Sequence, residues 1–475
     1  MGFDLNAALN HQQAYICVLE TCPQPAASPP SSALVNTLTS RPTTFHDLPA
    51  EILQQVADQM PAHDIGNLAT VNSQTYHALQ ERRLGWLCHK RISHIAPLDR
   101  TGTEIHNRAA VQQLLTEIER IRAEPVRAEL LQTLWQRAKI QHEVKPEVFK
   151  AVFQAAGRLP KQGLQVQKDM IQSILGTPLQ YQHTLYKFVY ADAERRSPEQ
   201  GSTWGAIASM LPFYGRIPPV WLDASQIESR YRAFLSRLPA LNTSEQAELI
   251  TVLAKVLAAF SLSGSSFDYF SYRYDLENAT ILELYETLFQ WMQRLPASHR
   301  GAPIGALANR VSMLPEAQRP VYFAHLRHLT LSLPDHQLGS ALRYLPGALV
   351  RVIPPNQQAY ELSLLEPALQ RVPPAQRALA TLGLLEETPQ LNDALSKQVW
   401  QRAMRLLDGS NGPDIVKVIH RIHIIGLRSN QQQWEDARTE IKAFFERNRF
   451  DEATRNAMLN AQNYDLFRDY PIQIQ

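Results

Sequence analysis

Five prolines constrain what the second half of this chain can become. Pro296, Pro315, Pro334, Pro354 and Pro373 are separated by 19, 19, 20 and 19 residues. Each follows a bulky aliphatic residue: Leu295, Leu314, Leu333, Ile353 and Val372. Eleven residues beyond each proline stands a leucine: Leu307, Leu326, Leu345, Leu365 and Leu384. Positions 8, 15 and 18 beyond are mostly apolar too, as in Ile304, Val311 and Leu314, or Leu342, Leu349 and Val352. Steps of three and four residues put that set on one helical face. Proline at the first helical position loses no hydrogen bond, because that N–H lacks an intrahelical partner anyway. It also forces its predecessor into an extended conformation, which ends the previous helix. Glu316 and Asp335 then fall in a first turn, where the helix dipole favours negative charge. The pattern predicts one helix of about four turns per unit, closed by a sharp corner. One such helix cannot seal its own apolar stripe, so neighbouring units must stack as an α-solenoid.

The spacing persists more loosely upstream, where Pro160, Pro178, Pro198, Pro218 and Pro239 step by 18, 20, 20 and 21. Leucine-rich repeats share this period, but they require an asparagine column that the chain lacks. Runs of β-branched residues with period-two alternation are missing, while Ala, Leu, Gln, Glu and Arg abound. The expected fold class is all-α, with a small helical module followed by a solenoid of roughly 19–20-residue units.

Composition removes several function classes. A net charge of +2 gives no global field for nucleic acid or an anionic membrane. No apolar run reaches the length needed to span a bilayer, and ITVLAKVLAAF from Ile250 reads as a core helix. Three cysteines, Cys17, Cys22 and Cys88, do not make a disulfide framework and point to a reducing compartment. The expected organisation is a disordered leader over 1–44, rich in Pro, Ser and Ala, then a helical module over 45–95. Helical repeats follow over 104–430 and capping helices over 431–475.

The module begins LPAEILQQVADQMPAHDIGNLATVN, from Leu48 to Asn72. Pro49 opens a short helix whose apolar residues Leu48, Ile52, Leu53, Val56 and Met60 recur at helical steps until Pro61 stops it. A second helix carries Ile65, Leu68 and Val71. A helical hairpin this small cannot form an independent core, so an apolar face must be covered by the chain or by another protein. These residues, with Glu51, Asp64, Asn72, Tyr76, Leu79 and Trp86, resemble the F-box. The Leu-Pro, Asp-Ile and Val-Asn pairs fit its spacing without insertion. Ser73 departs from the family, which has a basic residue there, and Tyr76 replaces its Trp or Phe. The resemblance covers about 40 of 475 residues. It implies docking on a Skp-type adaptor of a cullin–RING ubiquitin ligase, with the remainder of the chain holding a target. Leu48, Pro49, Ile52, Leu53, Val56, Met60, Ile65, Leu68 and Val71 would then bind the adaptor. The order of leader, F-box and repeats is also similar to secreted bacterial type III effectors, which implies action in a host cell's cytoplasm or nucleus. Otherwise the chain is expected in the cytoplasm.

The catalytic and cofactor motifs H-E-x-x-H, G-x-S-x-G, the P-loop, G-x-G-x-x-G and C-x-x-C are missing, so a non-enzyme without cofactor or metal is expected. His420 and His423 share a helical face but have no third ligand in sequence. Two features are candidates for target binding. Arg300, Arg319 and Arg377 share the fourth place after a repeat proline, and Arg294 and Arg371 the second place before one. Stacking would align such columns as a basic ridge for an acidic segment, or leave them as a solvated face. SGSSFDYFSYRYDLENAT from Ser263 supplies Phe267, Tyr269, Phe270 and Tyr272 on a loop, as a contact surface or as plugs between helices. A solenoid scaffold or inhibitor that binds its partner without any ligase is the competing reading.

Overall fold

Proline geometry sets the corners. In the computed structural model, Pro178, Pro296, Pro315, Pro334, Pro354 and Pro373 all have φ between −65° and −52° and ψ between 137° and 150°. They are therefore N-caps in extended backbone, one position earlier than the first helical residue expected from sequence. The reason is that each proline carbonyl already accepts the N–H three residues on, at 2.9 Å in every case, and so starts the turn itself. The preceding residues are extended as the pre-proline clash requires, for example Leu295 at ψ 148° and Leu314 at ψ 160°. True side-chain caps occur where the corner lacks such a proline. Asp223, Asn242 and Asn430 form reciprocal capping boxes with Gln226, Glu245 and Gln433.

The structure describes residues 105–140, 146–196, 201–214, 222–260, 276–410, 412–426 and 428–450, with isolated positions between Ala50 and Ile92. Among the described residues there is helix and no strand. The first helices are α1 (Ile105–Glu119), α2 (Glu124–Ile140), α3 (Pro146–Gly157), α4 (Gly163–Gln172) and α5 (Leu179–Arg195). There follow α6 (Trp204–Ser209), α7 (Ala224–Leu235), α8 (Thr243–Val256), α9 (Asn278–Arg294) and α10 (Gly301–Ala308). Next come α11 (Arg319–Leu331), α12 (Asp335–Leu342), α13 (Leu345–Val352), α14 (Pro355–Ser363) and α15 (Glu366–Gln370). The chain continues through α16 (Arg377–Leu385), α17 (Asp393–Leu406), α18 (Gly412–Gly426) and α19 (Gln431–Arg447). The leader over 1–44 and the tail over 451–475 lie outside the described residues; of the expected capping helices, α19 is described.

The apolar columns are sealed as their spacing demands. Leu307, Leu326, Leu345, Leu365 and Leu384 are all buried, and so are the residues preceding the five prolines. The units are not single four-turn helices, however. Pro346 and Pro367 open a second short helix inside their units, and α10 is flanked by 3-10 turns.

Alternate helices form two rows. In one row α2, α4, α6, α8, α10, α12, α16 and α18 pack each on the next. Close approach there depends on glycine: Gly205 faces Glu248, Gly301 and Gly305 face Gln337 and Ser340, and Gly383 faces Leu342. The Gly301 N–H donates to Gln337 Oε1 at 3.1 Å, and the Gly339 N–H donates to Gln376 Oε1 at 2.8 Å. The same bond thus recurs two proline units on, 38 residues later for the glycine and 39 for the glutamine. The other row is tied by polar pairs instead. Arg232 on α7 binds Glu283 on α9, Tyr322 on α11 donates to Glu286 on α9 at 2.7 Å, and Arg327 on α11 pairs with Glu361 on α14. One core runs continuously from Cys88 to Phe445 between the rows.

Candidate functional site

Of the nine residues expected to meet an adaptor, Leu48, Pro49, Met60, Ile65, Leu68 and Val71 lie outside the described residues. Ile52, Leu53 and Val56 are described and helical. Leu53 is fully buried, whereas Ile52 and Val56, one turn apart, are half-buried. Leu79, also described, is fully buried as well.

The arginine column has a geometric role inside the chain. The Arg300 Nε donates to the Leu295 carbonyl at 2.6 Å, and Arg319 Nε donates to the Leu314 carbonyl at 2.7 Å. Each acceptor immediately precedes the repeat proline, so its carbonyl is an orphan of the ending helix. Glutamine does the same work in the same column: Gln182 donates to Leu175 and Thr177, and Gln358 donates to Val350 and Ile353. Arg377 donates instead to the Asp408 carbonyl, at the end of α17. Of the second pair, Arg371 binds Asp335 and the carbonyls of Leu331 and Leu333, and Arg294 lies over the Trp291 ring at 4.9 Å. All three column arginines are half-buried; Arg300 and Arg319 engage backbone carbonyls through Nε and Arg377 through Nη1. The signal for this was the mixture of Arg and Gln in one column, since carbonyl capping needs a donor rather than a charge.

Phe267, Tyr269, Phe270 and Tyr272 lie outside the described residues. The ends of their segment meet, since the Leu276 N–H donates to the Phe260 carbonyl at 3.3 Å. Cys88 is buried.

A charged edge that no sequence column marked follows the C-terminal ends of the glycine-rich row. Glu386 directly follows α16 and receives Arg343 at 2.5 Å and Arg421 at 2.7 Å. Burial alone would raise its carboxyl, but the two guanidinium groups outweigh that and hold it below the ordinary range. The adjacent Glu387 goes the other way. Burial raises it, Arg351 offsets only part of the rise, and the Glu386 charge adds to it. Arg351 donates to the Gly347 carbonyl at 3.1 Å and to Asn309 Oδ1 at 2.9 Å, tying α13 to the end of α10. Lys255, near the end of α8, is held below the ordinary lysine range by burial and then by the neighbouring Arg310 guanidinium. Arg343 and Arg421 thus flank Glu386, and the charges of Arg351, Arg421 and Arg428 act on Glu387, while Lys255 and Arg310 lie near each other at the end of α8. Arg343 and Glu386 fall in no repeating column of the 19-residue pattern, which is why periodicity could not reveal them.

Among the described residues no group of three His, Cys, Asp or Glu could hold a metal ion, and no helix is long and apolar enough to cross a membrane. Comparisons of the chain with protein-family models, with curated proteins and with solved structures return no match.

Proposed function

We propose that this chain is a substrate-recruiting F-box subunit. It docks on a Skp-type adaptor of a cullin–RING ubiquitin ligase through Leu48–Asn72 and holds a target protein on its helical rows. The observation that carries the reading is the run of F-box-like residues, Leu48, Pro49, Ile52, Leu53, Val56, Asp64, Ile65, Leu68, Val71 and Asn72, at the family's spacing. The half-buried Ile52 and Val56 beside the sealed Leu53 are consistent with it. Covering one such side chain with an adaptor yields roughly 1.5–3 kcal/mol, so a handful sustains association after its entropic cost. Leu48 and Pro49 act as the leading anchors.

In this reading the two rows wind as a solenoid whose stacked surface presents the target. The ligase's E2 and RING components carry out ubiquitin transfer, and this chain positions the acceptor protein. Where the leader serves as a type III secretion signal, the site of action is a host cell.

Affinity capture of ubiquitylated proteins, with the full chain and with a variant lacking Leu48–Asn72, tests the proposal. Ubiquitylated targets enriched by the full chain and lost with the deletion are expected. Equal recovery by both would favour the scaffold or inhibitor reading and remove the F-box assignment.

A further inference from the structure

Along the edge where the helices of the second row end, arginines reach back one row step to an acid. Arg158, directly after α3, pairs with Glu119 at the end of α1. Arg237, just beyond α7, pairs with Glu194 in the last turn of α5 at 2.8 Å. Arg371, directly after α15, pairs with Asp335, which opens α12 behind α11, at 2.8 Å. Arg447, the last residue of α19, pairs with Asp408 behind α17 at 3.2 Å. The cation always belongs to the later unit, and the acid lies 39, 43, 36 and 39 residues earlier in turn.

What backs the pair differs between the two halves. In the C-terminal half, Arg371 also donates to the carbonyls of Leu331 and Leu333 at 3.0 and 2.6 Å, and Asp408 also accepts from Asn448 Nδ2 at 2.8 Å. Arg327 and Glu361 add a tie between α11 and α14 whose side chains are only 20% and 17% exposed. The N-terminal pairs stand in water: Arg158 and Glu119 are 68% and 46% exposed, Arg237 and Glu194 39% and 46%. The first of them spans a surface hollow of about 240 Å³ between the ends of α1, α2 and α3, so packing beneath it is thin. In the second, Arg237 lies over the Trp204 ring at 4.9 Å, which leaves the end of α5 as the partner that can move away.

We propose that Arg158–Glu119 and Arg237–Glu194 form a salt-sensitive strap. Rising ionic strength lets the ends of α1, α3, α5 and α7 spread, while the C-terminal half of the same edge stays closed. The physical basis is screening. The Debye length falls from about 10 Å at 0.1 M salt to about 3 Å at 1 M, and exposed ion pairs weaken first. Bonds from an arginine to a carbonyl, or from an amide to a carboxylate, have one uncharged partner and lose less. Each pair that parts admits a water, a widening of roughly 3 Å. The continuous apolar core between the rows does not respond to this screening and serves as the hinge. Spreading one edge of a row changes the curvature of the stacked surface. The strap is independent of adaptor docking.

Pulsed electron spin resonance between nitroxide pairs on the full chain, with Cys17→Ser and Cys22→Ser, tests the strap. Thr116→Cys with Ser236→Cys spans the N-terminal half of the edge, from α1 to α7, and Ser332→Cys with Glu446→Cys spans the C-terminal half, from α11 to α19. All four positions are exposed. Each pair covers about three helix-to-helix steps, a separation of roughly 30 Å. Between about 0.1 M and about 1 M NaCl the N-terminal distance should grow by roughly 3–6 Å, and the C-terminal distance by less than half as much. Glu119→Gln with Glu194→Gln should show the wide N-terminal distance already at low salt, and Glu119→Gln alone should remove about half of the salt response. Helical circular dichroism at both salt concentrations verifies that each protein is folded. A wild-type N-terminal distance that ignores salt, equal widening of both halves, or a full salt response retained in a folded glutamine variant would overturn the proposal.

Discussion

Replacing Gly383 with alanine sets two opposing terms against each other, and the structure decides their sign. In an unconstrained helix interior, alanine is more stable than glycine by about 1 kcal/mol. Gly383 lies within α16, where it crosses the end of α12. A Cβ at that position would sit 2.0 Å from the Leu342 carbonyl oxygen and 2.8 Å from the Arg343 carbonyl carbon and oxygen. These are backbone atoms, and relief requires the two helices to separate by roughly 1.5 Å to regain ordinary contact. Overpacking of this kind costs typically 1–3 kcal/mol and occasionally more. A contact as short as 2.0 Å to backbone falls at the upper end of that range, so the clash exceeds the propensity gain and a net destabilisation of roughly 2 kcal/mol is expected. Gly347 supplies the control. Its added Cβ meets only side chains, Glu387 Cγ at 3.2 Å and Arg351 Nη2 at 3.9 Å, which can yield. Gly347→Ala should leave stability unchanged or raise it by up to about 1 kcal/mol. Urea unfolding of the whole chain, followed by helical circular dichroism, reads both changes as midpoint shifts. A Gly383→Ala protein as resistant as wild type, or both variants shifting in the same direction, would refute glycine-dependent stacking of this row.

Other consequences follow from the same contacts. Arg300→Gln should retain near wild-type stability, because Gln182 and Gln358 cap equivalent carbonyls, while Arg300→Ala should lose about 1 kcal/mol in the same urea assay. Leu345→Ala, at a fully buried position of the leucine column, should cost about 2–5 kcal/mol. The two adjacent glutamates should respond oppositely to pH. Glu386 is depressed in the folded chain, so its contribution is present above the unfolded carboxyl range and fades as pH falls through the folded value. Glu387 is raised, so the folded chain binds its proton more tightly and stability falls as pH rises from the unfolded towards the folded value. At neutral pH, Glu386→Gln should destabilise by about 1.5–3 kcal/mol and Glu387→Gln should stabilise, as thermal melts across the carboxyl titration range would reveal.

Periodicity made the all-helical packing of the second half legible in the sequence. The prolines, their aliphatic predecessors and the leucines eleven residues on all serve the packing that their spacing implies. What spacing could not give was the partition of each unit. A second proline such as Pro346 breaks the helix locally, whereas the stripe only requires that apolar residues fall on one side. The arginine column was visible as a column, but its partners are carbonyls, and backbone acceptors leave no trace in a residue pattern. The Glu386 cluster was invisible for another reason. Its members come from 343, 386 and 421, and only the stacking of α12, α16 and α18 brings them together.

Direct binding to a purified Skp-type adaptor, measured by calorimetry with the full chain and with an Ile52→Asp, Val56→Asp double variant, bears most closely on the function proposed for this protein. Saturable one-to-one binding by the wild-type chain, lost in a double variant whose thermal midpoint is unchanged, is the expected result. No binding by the wild type, or equal affinity in a folded double variant, would contradict it.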